Sequence, residues 1–367
     1  MKVILADKIA SVAQHNDLHN ELRLSSNIPC EEGVLIAAKI LNNKSRYNRL
    51  ELISGRMSSI QEGDIIVGSL GHRNALLGYS GSLPNQLEVG SIVQILNMGG
   101  VMGICKSYNP DVGPPFDCEV IGSVLSFPYL GERVGITSRV GLYPYQDNTE
   151  IKKYNIPVIV IAGTCMDSGK TVAACSLISR LRQMNLSVNA CKATGISLRR
   201  DILAMEDAGA SRTMIFSDFG VVSTSAHNAS SLTKLLLNHL SEDSPDIIVI
   251  ELGDGLMGSY GVESILKDKA IKNIFSSVIL CANDPVAAWG GTKLLRENYN
   301  IEPSIITGPA TDNTAGSEII NKSLNLRAIN ALSDGQNFGI AAAESIKSTS
   351  IGQYIAVSYT HLRAHET

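Results

Sequence analysis

The chain has 367 residues, of which 44% are hydrophobic and 18% charged, and a net charge of −4. That length predicts two domains, and the weakly acidic balance leaves no basic footprint for nucleic acid. Seven scattered cysteines exclude a disulfide framework or zinc site, and no apolar run reaches the roughly 18 residues of a membrane helix.

The N-terminus, Met1-Lys-Val-Ile-Leu-Ala-Asp-Lys8, is charged too early for a signal peptide, so the expected location is the cytoplasm. Residues 1–30 are polar without a sustained period. From Gly33 the texture becomes short strands and turns. Val34–Leu41, Arg49–Ile53, Glu62–Gly68, Gly90–Leu96 and Cys118–Leu125 are the apolar or alternating runs. Gly99-Gly100, Pro114-Pro115 and Gly131 punctuate them. Strands at that spacing predict a small β-barrel or sandwich. His72-Arg73 is the one polar spot there with the look of a ligand contact, a solvated turn being the plainer reading. The chain turns polar near Tyr143–Glu150, where a linker would hand over to the second domain.

From Ile156 strand and helix alternate. A β-branched strand enters Gly163-Thr-Cys-Met-Asp-Ser-Gly-Lys-Thr171 and a helical pattern follows, with Ala173, Ala174, Leu177, Ile178, Leu181 and Met184 on one face. Short strands are predicted at Ser187–Cys191, Ile247–Ile250, Ser277–Leu280 and Pro303–Ile306, and a helix at Ser230–Leu240. Runs apolar on both faces are those of buried parallel strands. Alternating strands and helices build a parallel sheet whose ligands sit beyond the carboxyl ends of the strands. The polar clusters Lys192–Gly195, Glu251–Leu256, Cys281–Pro285 and Thr307–Asn313 all fall at such ends.

The loop between Gly163 and Thr171 reads as a P-loop. Backbone N–H groups, a helix N-terminus and one lysine surround phosphate oxygens. Gly163, Thr164, Asp167, Ser168, Gly169 and Lys170 are the nucleotide-binding candidates, and Thr171 would offer its hydroxyl to Mg²⁺. Glu251, ending an apolar strand, is the candidate metal carboxylate, with Asp254 a close second in the same glycine-bracketed loop. Lys192 is the candidate for an anionic substrate or a phosphoryl group in transit. Asp201 and Asp218 are weaker acidic candidates. Asn283 and Asp284 stand where a nucleotide base is often read.

Three of these stretches together resemble the dethiobiotin synthetase-like branch of P-loop proteins. The loop from Gly163 to Thr171 is similar to that family's Gly-Thr-Asp-Thr-x-Val-Gly-Lys-Thr, including five residues between its two glycines where the common motif has four. Lys192-Ala-Thr-Gly195 resembles Lys-Pro-x-Ala-Ser/Thr-Gly, though two residues shorter, and Glu251-Leu-Gly-Asp-Gly-Leu256 resembles Glu-Gly-Ala-Gly-Gly-Leu. Cys165 replaces an Asp of the family's loop, and the β-rich N-terminal domain has no counterpart in true dethiobiotin synthetases.

The resemblance implies ATP at the P-loop, Mg²⁺ on Thr171 and Glu251, and a substrate carbamate at Lys192. It also implies a homodimer, since members of this branch often dimerise. The expected fold is α/β: a P-loop NTPase domain with a parallel sheet over residues 151–356, behind a β-rich, barrel- or sandwich-like domain over residues 1–150. The expected activity is Mg-ATP-dependent phosphorylation of a small-molecule carboxylate or carbamate, ligase-like, with Lys170 and Lys192 catalytic. The alternatives are a nucleotide-dependent switch or loading protein acting on a protein partner, and an acyl-coenzyme A-using transferase on a P-loop scaffold. Residues 357–367 resemble a translated sequencing adapter and are read as non-native.

Overall fold

Hydrophobic alternation builds the first half of the chain. In β1 (Leu35–Ile40), β2 (Ile65–Leu70), β3 (Ile92–Ile95), β4 (Val101–Tyr108) and β5 (Asp117–Ser126), buried Ile36, Ile66, Val93, Val101 and Val124 share one core. β5 pairs with β1, and β1 with β2, both antiparallel; β2 pairs with β4 in parallel. β4 then pairs with β3 and β3 with β5, again antiparallel. The ring of ladders closes on itself, as in a small barrel, so these five strands manage their edges by mutual pairing.

The computed structural model describes residues 1–346 other than 130, 132, 133, 153 and 154. The stretch 357–367, read as adapter-derived, lies outside the described residues. The chain divides into two units. The first is Met1–Gln146 together with Ile196–Arg200 and Phe216–Thr224; the second takes the rest.

Three features of the first unit depart from the sequence reading. Residues 1–30 are not without structure: Lys2–Leu5 and Glu21–Ser25 form an antiparallel pair. The signal is weak because the runs are four and five residues long and Lys2–Leu5 is largely exposed. β4 follows the Gly99-Gly100 punctuation directly, and its alternation is broken by a register shift between Cys105 and Ser107. Arg73 is no solvated turn. It is 5% exposed, donates to the Tyr47 hydroxyl (2.8 Å) and the Leu96 carbonyl, and lies over the Tyr47 ring.

The two later segments are fixed inside the first unit by carboxylates from its N-terminal part. Glu51, 0% exposed, accepts from the Ser11 hydroxyl and from the backbone amides of Arg199 (2.8 Å) and Arg200 (2.7 Å). Glu32 accepts the amides of Val222 and Ser223, both at 3.0 Å. Ile196 bridges to Ser223, and Val222 joins the apolar core. A buried carboxylate without a cation is tolerated when several N–H and O–H donors point at it.

The second unit carries β6 (Val158–Gly163), β7 (Val188–Lys192), β8 (Arg212–Ile215), β9 (Ile247–Glu251), β10 (Phe275–Cys281), β11 (Ile305–Thr307) and β12 (Arg327–Ala328). Their order is β8-β7-β9-β6-β10-β11-β12, every pairing parallel. Every residue of β6, β7 and β9 is buried, as strands covered on both faces must be.

Helices α1 (Lys170–Gln183), α2 (Arg200–Asp207), α3 (Ala229–Leu240), α4 (Val262–Lys267), α5 (Lys269–Lys272), α6 (Pro285–Tyr299), α7 (Thr314–Leu324) and α8 (Gly335–Glu344) connect the strands. The stripe Ala173, Ala174, Leu177, Ile178 and Leu181 of α1 is buried against β-sheet residues such as Ile161 and Val249, and against Phe338 of α8. Each large side chain of that stripe contributes about 1.5–3 kcal/mol on burial. α1 ends where Asn185 turns left-handed (φ 62°) and the Leu186 amide reaches back to the Leu181 carbonyl. The second unit is an α/β fold with a seven-stranded, fully parallel sheet whose strand β6 runs through the P-loop sequence into α1, and a β-rich unit with a mixed, closed sheet precedes it in the chain. Among the described residues no helix is long and apolar enough to cross a membrane.

Candidate functional site

The sheet order brings the chemistry together. β6 delivers the loop that starts at Gly163, and its neighbour β9 ends in Glu251, in register with Ile161. One strand further out, Lys192 of β7 stands directly across from Glu251. The predicted phosphate lysine, metal carboxylate and second lysine therefore occupy one edge of the sheet, at the carboxyl ends of adjacent strands.

The loop itself is tightly determined. Gly169 caps α1 with φ 86°, a left-handed conformation that suits glycine, and Asp167 is also left-handed at φ 56° and exposed. Ser168 Oγ donates to the Cys165 carbonyl (2.9 Å). Lys170 is 6% exposed, and its Nζ donates to the same carbonyl at 2.7 Å. A Cβ on Gly163 would collide with Ser168 Oγ and approach Lys170 Cδ to 2.8 Å, so the loop closes over that position only because it has no side chain. Thr164 anchors its amide on the Cys281 carbonyl (2.9 Å), while its buried hydroxyl has no partner among the described residues.

Glu251 is 2% exposed, and its Oε2 has no hydrogen-bond partner among the described residues. Burial raises its pKa, and the nearby Asp201 charge raises it further. Lys192, Lys170 and a hydrogen bond from Thr171 pull the other way, and the net direction is up. An orphaned carboxylate oxygen beside a threonine hydroxyl is a hard-oxygen donor set suited to Mg²⁺, which takes few protein ligands and completes its shell with water and phosphate. No group of three or more His, Cys, Asp or Glu among the described residues could hold a metal unaided.

Lys192, 9% exposed, is ion-paired with Asp201 in the first turn of α2. The sequence marks Asp201 only as a weaker acidic candidate and carries no sign of this pair. Asp218 belongs to the first unit, where His15 Nε2 lies 2.8 Å from its carboxylate. Asn283 and Asp284 both lie exposed beyond β10, and Asp284 caps α6 by accepting the Ala287 amide (2.8 Å), with Pro285 at the first helical position.

No family model matches the chain, and no curated protein matches it. Solved structures are similar over part of it. Chloroplast FtsY from Physcomitrella patens is 14% identical, covering 53% of this chain and 67% of that one, with a TM-score of 0.38. Signal recognition particle 54 kDa protein from Aeropyrum pernix K1, in complex with GDP, is 15% identical over 59% of this chain and 52% of its own, at 0.37. A DUF1611 family protein from Anabaena variabilis ATCC 29413 is 11% identical over 55% and 63%, at 0.40. The chain thus spans between about half and two thirds of the length of these proteins. Likeness at this level assigns no activity.

Proposed function

We propose that the second unit binds a nucleoside triphosphate with Mg²⁺ and hydrolyses it, working as a nucleotide-dependent switch or loading module for a protein partner. The observation that carries the reading is the P-loop beside an orphaned carboxylate: Lys170 within its loop, and Glu251 with one oxygen free of partners next to Thr171. The amides of Asp167, Ser168 and Gly169 would surround the phosphates in the loop that Gly163 and Thr164 open, and Lys170 would neutralise their charge. Thr171 and Glu251 would hold the cation. Bound there, Mg²⁺ would supply charge neutralisation of the phosphates. Asn283 would meet the base, since Asp284 is committed to capping α6. The switch reading is favoured over the ligase-like one because Lys192 is already paired with Asp201. It also fits the course of the chain. The segments that follow β7 and β8 fold into the first unit, so a change at those strand ends has a covalent route onward.

The second reading keeps Lys192 for a substrate carboxylate or carbamate, phosphorylated as in a ligase. Its support is a cation only 9% exposed, in register with Glu251. One experiment addresses both: thermal shift of wild type and Lys170→Ala with Mg-ATP, Mg-GTP and acetyl-coenzyme A, followed by phosphate release. A shift with a triphosphate in wild type, lost in Lys170→Ala, is expected, with phosphate release that needs no small acid. No shift with either triphosphate, or equal shifts in both proteins, refutes nucleotide use at this loop. A shift with acetyl-coenzyme A alone would move the assignment to an acyl-transfer reaction.

A further inference from the structure

The loop after β9 holds a second carboxylate that the proposed function leaves without a task. Asp254 is 8% exposed, and neither of its carboxylate oxygens has a hydrogen-bond partner among the described residues. The amides of Gly255 and Ser259 lie near enough to favour its charge but miss hydrogen-bond geometry. Its backbone is left-handed, φ 70°, a conformation most natural to glycine and, among residues with a side chain, to Asn and Asp. In the Glu-Gly-Ala-Gly-Gly-Leu pattern that this stretch resembles, glycine stands at the same place.

The surroundings are shaped to admit the side chain. A Cβ on Gly258 would collide with the Asp254 carboxylate, so that glycine leaves the space open. Gly255 lies against the P-loop itself, its Cβ position 2.7 Å from the Thr164 carbonyl and 2.8 Å from Cys165 Cα. The Leu256 amide donates to the Gly163 carbonyl at 2.9 Å. Lys170 is close enough to favour the Asp254 charge. A buried carboxylate beside a phosphate loop, with no hydrogen-bond partner among the described residues, costs stability rather than adding to it.

We propose that Asp254 is the general base of this site, taking the proton from a protic nucleophile, water or an alcohol, that attacks the γ-phosphate. The inference rests on the nucleotide reading above. In the step, a lone pair of the nucleophile oxygen forms the new bond to γ-phosphorus. The bond from γ-phosphorus to the β,γ-bridging oxygen breaks, and its electron pair leaves on the nucleoside diphosphate. The O–H proton passes to the Asp254 carboxylate, which returns it to solvent as the products leave. Burial raises the pKa of Asp254, which strengthens it as a base. A carboxylate or carbamate nucleophile carries no proton to remove, so the presence of this base selects hydrolysis or transfer to a hydroxyl over acyl-phosphate formation.

The test compares wild type with Asp254→Asn and Asp254→Gly. Mg-ATP and Mg-GTP thermal shifts report binding, phosphate release reports turnover, and melting without ligand reports stability. Both variants are expected to keep the wild-type shift and to lose phosphate release by about 100-fold or more. Asp254→Gly is expected to melt at or above the wild-type temperature because a buried carboxylate with no hydrogen-bond partner among the described residues is removed, and added formate is expected to restore part of its turnover. Turnover within about threefold of wild type in either variant, or loss of the nucleotide shift in both, overturns the assignment. Absence of any shift in wild type instead removes the nucleotide reading, and this inference with it.

Discussion

Replacing Gly163 by alanine tests whether the loop is as tightly determined as its contacts imply. The new Cβ would collide with Ser168 Oγ and sit 2.8 Å and 2.9 Å from Lys170 Cδ and Cγ. Ser168 would have to rotate, giving up its 2.9 Å bond to the Cys165 carbonyl, a loss of about 1 kcal/mol. Overpacking of a rigid site costs about 1–3 kcal/mol more. The total of roughly 2–4 kcal/mol corresponds to about 4–16 °C in melting temperature for a domain of this size. Because the displaced atoms belong to Lys170, nucleotide binding should fall as well. Gly290→Ala is the control. Gly290 lies inside α6 with nothing within 4 Å of its Cβ position, so alanine there should add about 0.5–1 kcal/mol. Differential scanning fluorimetry with and without Mg-triphosphate reads both variants. If Gly163→Ala melts within a degree of wild type and binds nucleotide equally well, the tight-loop reasoning is wrong.

Two further outcomes can be stated from the structure. Glu51→Ala leaves a buried hydroxyl and two part-buried amides without this acceptor and should cost roughly 2–4 kcal/mol in urea unfolding, the buried hydroxyl contributing about 1–3 kcal/mol and the amides less; a loss under about 1 kcal/mol would mean that solvent replaces the carboxylate. Asp268 is a helix cap with a pH signature: burial works to raise its pKa, but hydrogen bonds from Lys234, Ser230 and the Ile271 amide, with the Lys234 charge, bring it below the ordinary 3.8. A carboxylate depressed in the folded state contributes stability that is present above its unfolded pKa and is lost as pH falls through the lower, folded one. Asp268→Asn should therefore be less stable than wild type by about 1 kcal/mol at pH 7, with the gap shrinking below pH 3.8; an unchanged gap down to pH 3 would contradict the coupling.

What could be read from the residues follows physical range. The α1 stripe was legible because a 3.6-residue period is local, and its five innermost members are all fully buried. The strand-end positions of Gly163, Glu251 and Lys192 were legible because short apolar runs bounded by glycine and polar residues mark where a strand stops. The Lys192–Asp201 pair was not, because it depends on where α2 begins. The Arg199 and Arg200 amides just before Asp201 are bound by Glu51, almost 150 residues away. Glu51 left only a faint mark, a charged residue inside the apolar run Leu50-Glu-Leu-Ile53. β4 escaped notice because Gly99-Gly100 reads as a break and the register shift after Cys105 spoils its period. Asp254 was visible as a residue, but its left-handed backbone and empty hydrogen-bonding positions exist only in three dimensions.

The first unit is not contiguous along the chain, and this bears on the order in which the protein is made. Glu51 and Glu32 emerge from the ribosome early, but the amides that they bind belong to residues 199, 200, 222 and 223. Until about residue 224 has been synthesised, these carboxylates have no donors and Val222 is missing from the core. By then β6, α1 and β7 have already been synthesised. Domains usually fold as units from the N-terminus onward, yet here the first unit cannot be finished before the P-loop has been synthesised. A chain terminated anywhere between residues 150 and 224 would therefore leave the first unit without one or both of its later segments.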